Sequence, residues 1–264
     1  MSKIGFWFKN ARNIALPQSV LPCMTAIILC IGQEGFTWWL ALPVLLGVCA
    51  AHLGMNLADD YFDYKHDSRT RADISSTSVR ARMEKCHYLG DEAKGERQEA
   101  KGERQEKATL SELGWAIVGF LAFAGAMGAI TFIAQWLMHG WQAAMGIVVY
   151  AVIGLIVGIN YSGKPLELGF HGLGELVIGL MFGPLLMLGV QAALTGTPFS
   201  WQMLCMSVGI GCMVTNIVYV HSVMEVNADA ELGKMTFARL LFEAKKRKGD
   251  EARGKRLMIV FIGL

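Results

Sequence analysis

Apolar residues fall in blocks near the ~20 residues that a helix needs to cross a bilayer, and charged residues collect between the blocks. The pattern predicts spans at residues 14–31, 38–56, 113–137, 142–160, 173–194 and 201–224. A seventh block begins at Leu257 and reaches the end of the chain at Leu264. Pro17 and Pro22 interrupt the first span early. Ahead of it, residues 1–13 mix Phe6, Trp7 and Phe8 with basic residues, as in a helix lying in the membrane interface. The expected fold is an all-α polytopic transmembrane helix bundle, one domain over residues 1–264.

Composition agrees with the blocks. The chain is 264 residues long, 53% hydrophobic and 17% charged, where soluble domains carry about 25% charged residues. Its mean hydropathy is +0.39. The formal net charge of +2 matters less than its placement, and no nucleic-acid partner is expected. Links 33–37, 138–140 and 195–200 contain no Lys or Arg, whereas every other link and the N-terminus contain some. Alternating spans therefore put all basic segments on one side, which the positive-inside rule makes cytoplasmic. Trp38, Trp39, Trp136, Trp141 and Trp201 cluster by the opposite ends, as interfacial anchors do. The expectation is an integral, multi-pass protein of the inner or plasma membrane, without a cleavable signal peptide. Oligomeric state is not legible.

Three smaller features complete this layout. Residues 68–107 are rich in charge and carry AKGERQE twice, at 93–99 and 100–106, which reads as a local duplication in a mobile cytoplasmic loop. The six cysteines contain no CxxC pair, and all but Cys86 lie in apolar blocks, so they read as packing residues. Gly125, Gly128, Gly154 and Gly158 are expected to permit close helix packing.

The chemistry concentrates where span two ends, in Asn56-Leu57-Ala58-Asp59-Asp60-Tyr61-Phe62-Asp63-Tyr64-Lys65-His66-Asp67. If the helix continues, Asn56, Asp60, Asp63 and Asp67 share one face. Carboxylates stacked in this way repel, so something positive belongs between them. A divalent cation is the candidate, and a solvated acidic helix end is the alternative. A second acidic pair, Glu225 and Asp229, ends span six with i, i+4 spacing, and His221 precedes it by one turn. Ionisable groups at a membrane boundary are costly and mark function. Two facing carboxylate sets suit Mg²⁺, which bridges carboxylates to substrate phosphates. Lys164 and Lys234 follow the ends of spans four and six and could clamp phosphate oxygens. The matching substrate is a lipid diphosphate, with its headgroup at the acidic helices and its tail among apolar spans.

These residues resemble the UbiA superfamily of intramembrane prenyltransferases. Asn56-x-x-x-Asp60-x-x-Asp63-x-x-x-Asp67 resembles its first aspartate-rich motif, and Glu225-x-x-x-Asp229-x-x-x-Gly233-Lys234-x-Thr236 resembles its second. Asn56-Leu57-Ala58-Asp59-Asp60-Tyr61-Phe62-Asp63 is most similar to the 1,4-dihydroxy-2-naphthoate polyprenyltransferases, which make menaquinone. Arg12-Asn13-Ile14-Ala15-Leu16-Pro17, Tyr161-Ser162-Gly163-Lys164-Pro165 and Gly172-Leu173-Gly174-Glu175 agree in order and position. Glu225 stands where the family has Asp. The family has nine helices, so its bundle is expected to be truncated here in the seventh.

The resemblance implies Mg²⁺ ions held by Asn56, Asp60 and Asp63 and by Glu225 and Asp229. Lys164, Lys234 and Arg82 would bind the prenyl diphosphate, Tyr161 would hydrogen-bond it, and Asp67 would orient the acceptor or take its proton. Diphosphate departure leaves an allylic cation, which an electron-rich aromatic ring attacks with loss of a proton and, in the naphthoate branch, of carbon dioxide. The implied partners are a prenyl diphosphate, an aromatic small molecule and membrane lipid. Other acceptors of the superfamily remain open (another quinone precursor, a chlorin or haem, a glycerol phosphate lipid), as does a cation transporter. His52, one turn before Asn56, reads as a core histidine or a ligand or base. His221 is balanced between packing and function. Arg80, Arg82 and Lys85 face phosphate or anionic lipid.

Overall fold

The computed structural model describes residues 2–66, 89, 108–231 and 233–246, with the side chains of 63, 65, 66, 228, 231 and 244–246 outside that description. The described residues are helical, with no strand among them. Among the described residues six helical spans are long and apolar enough to cross a membrane, so the protein is an integral, polytopic membrane bundle.

The chain opens on α1 (Lys3–Asn10), short and capped by the Ser2 side chain. A 3₁₀ turn, Asn13–Ala15, leads into α2 (Pro17–Cys30). Pro17 sits in the first turn, where a missing N–H costs nothing, and the helix runs on through Pro22. The long α3 (Ala41–His66) extends ten residues beyond Asn56, so the first acidic stretch is helical as expected. A capping box of Thr109 and Glu112 starts α4 (Leu110–His139). Gly140, at φ 87, then turns the chain into α5 (Trp141–Ser162). The fifth span comprises α6 (Gly174–Leu180), one π-helical turn at Met181–Leu185 and α7 (Leu186–Thr195). Pro184 lies inside that turn and cannot supply the N–H that a regular ladder requires. The sixth span, α8 (Trp201–Met224), is followed by α9 (Val226–Glu231) and α10 (Phe237–Lys246).

Two apolar clusters hold the bundle. One joins Cys23, Ile27 and Cys30 of α2 to Leu40, Met187, Leu194 and Met203 near the expected outer ends. The other gathers Ala11, Leu53, Leu57, Leu89 and Leu113 beneath α1. Trp38, Trp136, Trp141 and Trp201 are exposed at that outer end, where an aromatic belt belongs. Cys23 and Cys30 are buried packing residues, and no described cysteine is paired.

Of the glycines expected at close packing, Gly158 is at one, but the closest backbone crossing lies elsewhere. Cβ atoms added at Gly125 or Gly128 would meet nothing within 4 Å. One at Gly158 would meet the end of the Met55 side chain. It is Gly179, Gly183 and Gly211 that bring α6 and the π turn against α8: a Cβ on Gly183 would stand 2.5 Å from the Ser207 carbonyl oxygen, and one on Gly211 2.7 Å from that of Gly179. Backbones can approach so closely only where no side chain intervenes. The seventh block and nearly all of loop 68–107 lie outside the described residues.

Candidate active site

The first acidic stretch already has a positive partner, and it comes from the other end of the chain. Between α1 and the 3₁₀ turn, Arg12 adopts the left-handed conformation (φ 57), which aims its side chain at α3. Its Nη2 donates to the Asn56 carbonyl oxygen at 2.8 Å and to Asp59 Oδ2 at 3.0 Å, and lies 3.3 Å from Asp60 Oδ1. Asn56 Nδ2 donates in return to the Ala11 carbonyl at 3.0 Å. Ser162 Oγ, at the end of α5, donates to Asp59 Oδ1. The segment 11–12 and two helices thus meet on Asn56 and Asp59. Asp60 is buried, and without Arg12 beside it the charge would be costly to hold there.

The second acidic pair is divided. Glu225 stands at the break between α8 and α9, at φ −100 and ψ 9, and its Oε1 lies 3.4 Å from His221 Nε2. Asp229 is fully buried, its Oδ2 accepting from Thr236 Oγ1 at 3.3 Å. The turn after α9 folds back on it, the Lys234 N–H donating to the Asp229 carbonyl at 2.9 Å. Arg239 reaches both carbonyls, at 3.4 Å for Asp229 and 3.0 Å for Lys234. Glu175 fastens this hairpin to the fifth span: its two carboxylate oxygens accept from the Phe237 N–H at 3.1 and 3.2 Å. A carboxylate there also faces the positive end of α10.

Both clusters open on one cavity of about 1450 Å³. Its polar end is lined by Asn56, Asp59, Tyr161, Ser162, Glu225 and Lys234. The rest of the wall is mainly apolar, from α2 to α8, and reaches Val44 near the far end of α3. From Asp59 to Val44 the helix rises about 22 Å. Such a cavity can take a charged headgroup at one end and a long apolar chain behind it.

Several prenyltransferases are similar to this chain in sequence. Over 248 residues, 94% of this chain and 73% of the relative, it is 25% identical to a 1,4-dihydroxy-2-naphthoate octaprenyltransferase of Mycobacterium tuberculosis. Over 124 residues, 46% of this chain and 38% of the relative, it is 31% identical to a 2-carboxy-1,4-naphthoquinone phytyltransferase of Synechocystis. Over 90 residues, 33% of this chain and 26% of the relative, it is 32% identical to a UbiA prenyltransferase domain-containing protein of Dictyostelium discoideum. In sequence the chain is similar to prenyltransferases of the UbiA type. No family model matches it, and no solved structure matches it significantly.

The structure sorts the expected site residues. Asn56, Glu225, Tyr161 and Lys234 line the cavity, Lys234 with its Nζ 5.2 Å from the Phe170 ring centroid. Asp60 and Asp229 are buried beside the cavity and do not line it, so the pair Glu225 and Asp229 does not present one common face to it. Lys164 is exposed and is not part of the wall. Asp63 lies on α3, but its side chain, like Asp67, Arg80, Arg82 and Lys85, falls outside the described residues.

Sequence reasoning gave no role to Arg12, Asp59 or Ser162. The signal for Arg12 was available, since a like-charged helix face demands a cation and Arg12 is the last basic residue before the first span. Ser162 lies in a stretch quoted for the resemblance, but nothing local in the chain pointed to Asp59 as its partner.

The donors facing the cavity, Asn56, Asp59 and Glu225, offer hard oxygen atoms. Among the described residues no three His, Cys, Asp or Glu side chains gather into a metal-binding group. Mg²⁺ keeps several waters and takes one or two carboxylates plus substrate phosphate, so an open set of this kind fits the ion.

Proposed function

We propose that this protein transfers a polyprenyl group from a prenyl diphosphate to 1,4-dihydroxy-2-naphthoate, using Mg²⁺, at the cytoplasmic face of the membrane. The observation that carries the reading is a cavity with Asn56, Asp59, Glu225 and Lys234 at one end and an apolar wall behind them. The naphthoate-type acceptor is supported by the similarity to the Mycobacterium tuberculosis octaprenyltransferase and the Synechocystis phytyltransferase. The basic residues of every link at that end support the cytoplasmic placement.

Mg²⁺, when bound by Asn56, Asp59 and Glu225 together with Asp63, would draw charge from the diphosphate oxygens. Lys234 places an ammonium beside the same oxygens, where it stabilises charge that grows as the C–O bond lengthens. Tyr161 borders the headgroup end and can donate a hydrogen bond there. Arg12 and Ser162 hold Asp59 at a fixed angle, so the carboxylate faces the headgroup without reorganising. The apolar wall shields the prenyl cation from water, which would otherwise trap it.

The direct test is product formation from a polyprenyl diphosphate and dihydroxynaphthoate in nanodiscs. Activity should require a divalent ion, vanish with EDTA and fall at least a hundredfold in Asp59→Ala and Asp63→Ala. Turnover indifferent to EDTA and to both substitutions would sink the proposal.

A further inference from the structure

One buried titratable side chain in the cavity has no part in the scheme above. His52, on α3, is 8% exposed, lines the cavity and lies one turn from Asn56, about 6 Å deeper along the axis. Its Nδ1 is 2.7 Å from Ser19 Oγ of α2. Ser19 Oγ is also 3.1 Å from the Leu16 carbonyl oxygen. A hydroxyl has one proton, and a carbonyl can only accept. Both bonds therefore form together only when Ser19 donates to Leu16 and the His52 Nδ1–H donates to Ser19. In that tautomer Nε2 carries the lone pair. The other wall at this depth is Phe182, whose ring centroid is 5.1 Å from that of the imidazole at 48°. Phe182 belongs to the π-helical turn at Met181–Leu185, a departure from regular helix of the kind frequent at functional sites.

We propose that His52, oriented by Ser19, is the specificity residue for the aromatic acceptor, its Nε2 accepting a hydrogen bond from a ring hydroxyl beside Phe182. The inference rests on the prenyl-transfer reading above and names the acceptor subsite within it. Depth supports it. The carbon that is attacked lies one bond from the departing diphosphate oxygen, so the acceptor ring belongs within about one helical turn of the headgroup end. His52 and Phe182 stand at that level. A hydrogen-bond acceptor in an apolar wall favours a hydroxylated ring over an unsubstituted one, because a partner lacking the donor leaves the imidazole unpaired.

The test measures KM separately for a polyprenyl diphosphate and for dihydroxynaphthoate, with the full-length protein in nanodiscs. His52→Leu should raise the acceptor KM about tenfold, the scale of one lost hydrogen bond, and leave the diphosphate KM within about twofold. His52→Gln, whose Oε1 can accept the same bond, should recover most of that loss. Of the two mono-O-methyl acceptors, one should bind the unmodified protein about tenfold more weakly and be no further impaired by His52→Leu.

Equal rises in both KM values, a fall in kcat alone or an unchanged acceptor KM in His52→Leu overturns the assignment while prenyl transfer stands. If His52→Leu does not fold, the ethers decide: full affinity for both in the unmodified protein overturns it equally. No prenylated aromatic product from the unmodified protein removes the transfer reading and this inference with it.

Discussion

Arg12 connects a left-handed turn at the start of the chain to three groups on α3, and Asp60 shows what that connection is for. The Asp60 side chain is 2% exposed, so its charge is stabilised only by what surrounds it. Removing one partner of a buried pair leaves an uncompensated charge, at a cost of about 3–5 kcal/mol. Arg12 itself is 27% exposed, which places Arg12→Ala at the lower end, about 3 kcal/mol. Thermal unfolding in detergent checks this, and Arg12→Ala,Asp60→Asn should regain part of the loss. Asp59 differs from Asp60 in facing the cavity. Asp59→Asn keeps much of its hydrogen bonding, so it should unfold near the original temperature while losing most of its turnover.

At the scale of elements, the second motif depends on a residue far from it in sequence. Glu175, buried at the start of α6, caps α10 through the Phe237 N–H. Loss of an N-terminal cap costs about 1 kcal/mol. Glu175→Ala is therefore expected to loosen the hairpin carrying Lys234 and Thr236, which hydrogen exchange of residues 233–240 would register as faster exchange. The crossing of α6 on α8 makes a harder prediction. Gly183→Leu must displace backbone, and the folded yield in membranes should collapse. Gly128→Ala, with open space at its Cβ position, should leave the yield unchanged. Equal yields for the two would contradict the packing described here.

For the whole molecule, the expected consequence is topological. In a cysteine-free background, a cysteine at Gly140 or Thr197 should react with an impermeant maleimide only from outside the cell. One at Gly233 should react only from inside. Labelling of Gly140 from the cytoplasmic side would invert the bundle and move the cavity's polar end to the other face.

The six spans were legible because a chain in lipid must satisfy its backbone hydrogen bonds internally, so an apolar run of sufficient length has no alternative to helix. Charge asymmetry between links added the expected orientation, and the acidic stretches marked the end at which the cavity is polar. What local pattern could not contain was the set of partners. Arg12 meets Asp59 across 47 positions, Ser162 meets it across 103, and Glu175 meets Phe237 across 62. Small residues occur in most spans, so only packing could decide that Gly179, Gly183 and Gly211 form the close crossing while Gly125 and Gly128 do not. Helix periodicity placed Glu225 and Asp229 on one face, but the break at Glu225 and the hairpin at Lys234 separated them, one lining the cavity and one buried. The sequence determined by itself that helices of these lengths carry acidic ends at one membrane face, because those properties follow from local composition and the bilayer's thickness. Only the tertiary structure decided which carboxylate faces the cavity and which is held by an arginine or a threonine, because burial and pairing depend on residues brought together from distant parts of the chain.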